Sequence, residues 1–169
     1  DVQTAGLSHA RHIGLRSLWQ FDLHKPIFRD HFDGVGAFDV IEHIENDREI
    51  VENLLQIVLP GGLVFVSVPA HQWLWNNRDR LERHKRRYSK SKLENLFHDC
   101  GAEILATRYM FFSILPLLIL RAVIDRIRKT TTFTEEDHAK NIRVHMLINR
   151  ILMALLRLEN KIFSRWSPP

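Results

Sequence analysis

Residues 63–68, Leu-Val-Phe-Val-Ser-Val, constrain the fold more than any other stretch. Five of the six are apolar and three are valine, with no alternation of polar and apolar positions. β-Branched side chains crowd a helix and suit a pleated surface, and an unbroken apolar run needs cover on both faces, which is the signature of a strand in a parallel sheet. Parallel neighbours require a long crossover, usually helical. The preceding residues supply one. Asn46 and Glu49 have capping-box spacing, and Ile50, Val51, Leu54, Leu55 and Val58 form one stripe of a helix of about three turns, which Pro60-Gly61-Gly62 then breaks. Before that helix, residues 34–41 are largely apolar and read as another strand.

The same alternation extends outward. Thr4 can cap a short helix carrying Leu7 and Ala10 and ending at Gly14. Residues 15–21 read as a strand that stops at Asp22, and residues 24–31, with Pro26, as a loop. Ser91 and Glu94 repeat the capping spacing ahead of Leu93, Leu96, Phe97 and Cys100, Gly101 ends that helix, and residues 103–109 read as a further strand. Strands alternating with helices imply an α/β class with a doubly wound, mostly parallel sheet, whose ligands bind beyond the carboxyl ends of the strands. Asp22, residues 39–43 and residues 69–75 all fall at such ends.

At 169 residues the chain has the length of one domain, and 45% hydrophobic content is enough for a packed core. A single cysteine, Cys100, rules out an internal disulfide and a multi-cysteine zinc site, and fits a reducing compartment. No charged start leading into an apolar core is present, so a cytoplasmic protein is expected. The net charge of +4 hides an acidic segment at 42–52 and a basic one containing Arg78, Arg80, Arg83, Lys85, Arg86, Arg87, Lys90 and Lys92. Such a run is ordinarily a solvated face; the sharper alternative is a site for an acidic or phosphate-bearing substrate. Nucleic acid is not expected, because Tyr88 alone interleaves the run and a stacking platform needs more aromatic rings.

Five segments in order, "DVQTAGLSHAR", "QFDLHKPIF", "FDGVGAFDVIEHIEND", "LPGGLVFVSVPA" and "HKRRYSKSKLENLFHDCGAEI", resemble class I S-adenosylmethionine-dependent methyltransferases of the small-molecule type. The resemblance covers residues 1–110 and implies an incomplete Rossmann-like methyltransferase core there, with residues 111–169 as a helical extension that packs on the core or covers the substrate site. It implies S-adenosylmethionine as cofactor and a small-molecule or lipid-like methyl acceptor. Asp1 falls where the family places the acid that accepts from both ribose hydroxyls. Asp22 matches the acid that takes the adenine amino group, with Leu23 as an apolar wall, and Phe38 and Asp39 match residues lining the cofactor. For each acid the plainer alternative is a loop starter or helix cap. The family's glycine-rich loop would precede Asp1 and a last strand would follow Pro169, so a piece of a longer methyltransferase is expected, one that binds the cofactor weakly by itself.

Methyl transfer asks for in-line positioning more than for acid–base groups. Where the methyl acceptor must lose a proton, His84 is the first candidate base and His71 the second, against the alternative of chance placement among ten histidines. Arg86, Arg87 and Tyr88 could hold an anionic or phenolic methyl acceptor. Glu42 and His43 fall where strand gives way to helix. His43 reads as a structural histidine, and with no further ligands at helical spacing no metal is expected.

Residues 110–120 are almost wholly apolar but are interrupted by Pro116 and closed by Arg121, which is shorter than the ~20 residues of a spanning helix. Val144, Leu147, Ile148, Ile151, Leu152, Leu155, Leu156 and Leu158 make a wide apolar face on a later helix, flanked by Arg143, Arg150, Arg157 and Lys161. Packing on the chain's own domain is the plain expectation, with membrane-surface contact through 110–169 the alternative; the remaining function class is a non-catalytic scaffold.

Overall fold

The structure is a computed structural model in which residues 4–128 and 146–165 are described. Its elements are α1 (Thr4–His12), β1 (Phe32–Phe38), α2 (Asp47–Ile57), β2 (Val58–Ser67), α3 (Asn77–Leu81), α4 (Lys90–Asp99), α5 (Leu115–Arg128) and α6 (Met146–Arg165), with single 3₁₀ turns at Ile41–His43, Gln72–Leu74 and Phe112–Ile114. The chain divides into two compact units. The first is Asp1–Pro69 with Lys85–Ala106, the second Ala70–His84 with Thr107–Pro169.

The first unit is built on the expected strand, helix and parallel strand. β1 and β2 pair in parallel, Val35 beside Val64 and Ala37 beside Val66, and these four residues line the face that packs on Ile50, Val51 and Leu54 of α2 and Phe97 of α4. On the opposite face Gly34 lies beside Leu63, Gly36 beside Phe65 and Phe38 beside Ser67, and Leu63, Phe65 and Phe38 are exposed. The continuous apolar run implied cover on both faces; among the described residues α2 and α4 cover one.

Several boundaries differ from those read in the sequence. The stripe assigned to α2 included Val58, which instead opens β2. Pro60-Gly61-Gly62 does not separate helix from strand but forms an excursion inside β2, because Phe32 pairs with Val58 while Gly34 already pairs with Leu63. Gly62 is obligatory there: a Cβ would sit 2.7 Å from the Asp33 carbonyl and 2.7 Å from Val58 Cγ2. Ser89, not Ser91, caps α4, its Oγ accepting from Lys92 N at 3.2 Å. Asn46 does precede α2, but its side chain donates to Glu49 Oε2 at 3.1 Å and caps no backbone group.

Residues 15–21 and 103–109, read as strands, form none. A strand exists only where a neighbour offers a ladder of hydrogen bonds, and composition cannot supply the neighbour. Residues 15–28 are held instead through an aromatic cluster in which Phe28 meets Trp19 at 5.5 Å, Phe21 at 6.0 Å and Phe32 at 5.1 Å. The α4 stop is as expected: Gly101, at φ +86°, donates to the His98 carbonyl and Ala102 N donates to that of Phe97, a complete Schellman closure.

In the second unit, α3 opens with a reciprocal capping box: Asn76 Oδ1 accepts from Arg78 N at 2.8 Å, and Asp79 Oδ2 accepts from Asn76 N at 2.8 Å. Farther along, Glu159 of α6 accepts from the backbone N–H groups of Phe112 (2.7 Å) and Ser113 (2.8 Å), satisfying donors at the turn that leads into α5. No helix among the described residues is long and apolar enough to cross a membrane.

Candidate cofactor site

The carboxyl ends of β1 and β2 are tied together at one point. Asp39 N donates to the Ser67 carbonyl at 2.9 Å, and Ser67 Oγ donates to Asp39 Oδ1 at 3.3 Å. Asp39 takes a left-handed backbone, φ +52°, which turns the chain off the sheet and costs less for Asp than for most residues. Phe38, one residue earlier, is 65% exposed, and its ring lies over Gly36, where an added Cβ would come within 2.8 Å of it. The result is an apolar ring beside a carboxylate at the end of a parallel strand, where α/β sheets receive ligands.

Asp22 starts a turn. Its Oδ1 accepts from His24 N at 3.0 Å and its carbonyl from Lys25 N at 2.9 Å. The loop-starter role is therefore present, and a carboxylate with about four acceptor positions still has capacity for a ligand amino group. Leu23 is partly buried against the core, and its carbonyl accepts from Asn53 Nδ2 at 2.9 Å, which fixes this loop to α2. Asp1 lies outside the described residues.

Glu42 and His43 stand, as expected, between strand and helix, in the 3₁₀ turn after β1. Glu42 is fully buried, with its Oε1 3.9 Å from His43 Nε2, and its carbonyl accepts from Lys85 N at 2.7 Å.

The substrate roles expected for Arg86 and Tyr88 are corrected. Tyr88 is 1% exposed and packs in the core, and its hydroxyl donates to Asp47 Oδ2 at 2.7 Å. Burial, with Asp47 beside it, pushes the Tyr88 phenol well above the usual range. Arg86 Nη1 lies 2.8 Å from the same Asp47 oxygen, and its Nη2 donates to the Glu45 carbonyl at 2.6 Å. Both groups are committed to holding the 85–89 segment on the start of α2. Arg87 is partly buried.

His84, the first candidate base, is inside the second unit. Its Nδ1 is 3.0 Å from Asp79 Oδ1 and its Nε2 3.3 Å from Glu82 Oε2, with the side chain 9% exposed. Both ring nitrogens face carboxylates, so abstracting a proton would first require breaking one of these pairs. His71 has φ +61° and stacks on Tyr109 with ring centroids 4.7 Å apart.

Sequence reading missed Asp47, Asn53, Ser67 and Asp79. Asn53 was the findable one, as a polar residue on the buried side of an otherwise apolar helix stripe. Of the partners of Asp47, Tyr88 is 41 residues away and Arg86 nearly as far, and no local pattern announces them.

A parallel β-α-β unit with an exposed ring and a carboxylate beyond a strand end defines the Rossmann-like α/β class, of which part is present here. Residues 7–107 match the methyltransferase-domain family, and the chain belongs to it. A curated relative, the mitochondrial ubiquinone biosynthesis O-methyltransferase of Dictyostelium discoideum, is 44% identical over 36 residues, 21% of this chain and 11% of that protein. A solved chain from a complex that contains the Haloferax volcanii Trm112 methyltransferase activator superposes with TM-score 0.52 at 20% identity, over 61% of this chain and 50% of that one, a likeness of fold. The chain thus spans half or less of the length of these relatives.

Proposed function

We propose that this chain contributes to an S-adenosylmethionine-dependent methyltransferase acting on a small-molecule or lipid-like methyl acceptor. The observation that carries the reading is the Phe38–Asp39 pair at the end of β1, in a chain of the methyltransferase-domain family. The residues suit the cofactor: Phe38 offers an exposed apolar surface for a purine or ribose, Asp39 a carboxylate at the sheet edge, and Asp22 spare acceptor capacity for the adenine amino group. Leu23, partly committed to the core, would wall the ring with whatever surface it leaves open.

When bound, the cofactor supplies an electrophilic methyl on a sulfonium that is already a good leaving group, so the protein's share is binding and orientation. Asp22 and Asp39 would bind and orient the nucleoside, and Phe38 would keep water from one side of it. A base is needed only for a methyl acceptor that must lose a proton, and His71 is preferred over His84 because both nitrogens of His84 are engaged.

Isothermal titration of S-adenosylmethionine into wild type, Asp22→Ala and Asp39→Ala tests the reading. Each substitution is expected to weaken binding by about 1–3 kcal/mol, the cost of leaving a buried donor without its acceptor. Equal affinity in all three proteins, or none in any, would sink it.

A further inference from the structure

The second unit carries apolar surface that its own packing leaves open. Met110, Phe112, Leu117 and Leu120 are each more than half exposed, and Phe111 and Val123 nearly so. From residue 109 to residue 120 there is no charged side chain. An exposed patch of this kind on a water-soluble surface marks an interaction site. At 14 residues, α5 is about 21 Å long, too short to cross a bilayer but long enough to lie on one.

The charge of the same segment says what the partner is. Residues 107–169 contain eleven lysines and arginines against five aspartates and glutamates, although the whole chain is only +4. On α6, Arg150, Arg157 and Lys161 are exposed and fall at spacings of seven and four, which puts them on one face of the helix. Exposed Met153 and Leu158 flank that face. Glu159, the one acid on α6, accepts from the N–H groups of Phe112 and Ser113. Exposed apolar side chains and exposed cations, on helices that are not long and apolar enough to span, suit the headgroup boundary of an anionic membrane.

We propose that the second unit docks on an anionic lipid surface, inserting the exposed apolar side chains among residues 110–123, Met110, Phe112, Leu117 and Leu120 foremost, while the cations of α6 meet the headgroups. The reading does not depend on cofactor binding.

The test is co-sedimentation of the full chain with vesicles of phosphatidylcholine alone or with one third phosphatidylglycerol, at low and high salt. Wild type is expected to sediment with the anionic vesicles, and high salt is expected to weaken binding. Leu117→Asp/Leu120→Asp and Arg150→Glu/Arg157→Glu should each lower partitioning by roughly tenfold or more. Both pairs are exposed, so circular dichroism should show the fold unchanged. Equal binding to neutral and anionic vesicles, no binding to either, or wild-type binding by both variants would overturn the proposal. So would sedimentation-velocity data showing that the apolar pair abolishes a dimer while vesicle binding persists, since the face would then be an interface between copies.

Discussion

Tyr88 donates its hydroxyl to Asp47 across 41 residues of sequence, at 2.7 Å, and Arg86 meets the same carboxylate oxygen at 2.8 Å. One carboxylate at the first turn of α2 therefore holds both the phenol and the guanidinium of a segment that reads in the sequence as a basic surface run. Its position also favours negative charge, because the helix N-terminus carries a partial positive one.

Tyr88→Phe keeps the buried ring and loses the bond to a charged group, a loss of about 1.5–3 kcal/mol. The phenol's ionisation is raised in the folded state, first by burial and then by Asp47. The unfolded chain therefore loses this proton before the folded one does. The contribution is complete below about pH 10 and declines as pH rises beyond it. Urea denaturation of both proteins at pH 8 and pH 11 should show a gap that narrows at the higher pH; a constant gap would contradict the assignment.

Two glycines of the same sheet should respond with opposite sign. Gly62→Ala drives a methyl into the Asp33 carbonyl and Val58, and is expected to cost about 1–3 kcal/mol or more. At Gly34 the added methyl meets nothing closer than 3.6 Å, so Gly34→Ala is expected to stabilise by roughly 0.5–1 kcal/mol through the loss of glycine's unfolded-state freedom. Denaturation midpoints of the two variants decide it.

Asp39 is expected to separate stability from binding. Asp39→Gly relaxes the left-handed backbone but loses the bond from Ser67 Oγ, opposing effects of similar size, so stability should change by less than about 1 kcal/mol. The substitution also removes the carboxylate proposed to face the cofactor. Calorimetry showing a larger change in stability together with unaltered S-adenosylmethionine affinity would reverse both halves of the prediction.

Glu159 should make the second unit acid-sensitive. Burial raises its carboxyl, but the hydrogen bonds from Ser113 and Phe112 prevail and hold it below the ordinary value. The folded state thus keeps the charge to lower pH than the unfolded chain. The stabilisation is full above the ordinary carboxyl range and is lost as pH falls below about 4.5 toward the folded value. Glu159→Gln should be less stable than wild type at pH 7 and converge on it in acid, as followed by circular dichroism at 222 nm; parallel acid curves would remove Glu159 from this role.

The sequence by itself determined the β1-α2-β2 unit, the glycine stop of α4 and the class of the fold. Those signals are local: valine-rich runs resist helix, apolar residues repeat at the helical period, and a glycine takes φ near +86° without strain. Phe38 and Asp39 could be placed at a strand end for the same reason. Only the tertiary structure decided that residues 15–21 and 103–109 are not strands, that Tyr88 lies in the core on Asp47, and that His84 sits between Asp79 and Glu82. A ladder needs a neighbouring strand and a buried hydroxyl needs a partner, and both are brought up by chain closure over tens of residues, which no local pattern encodes.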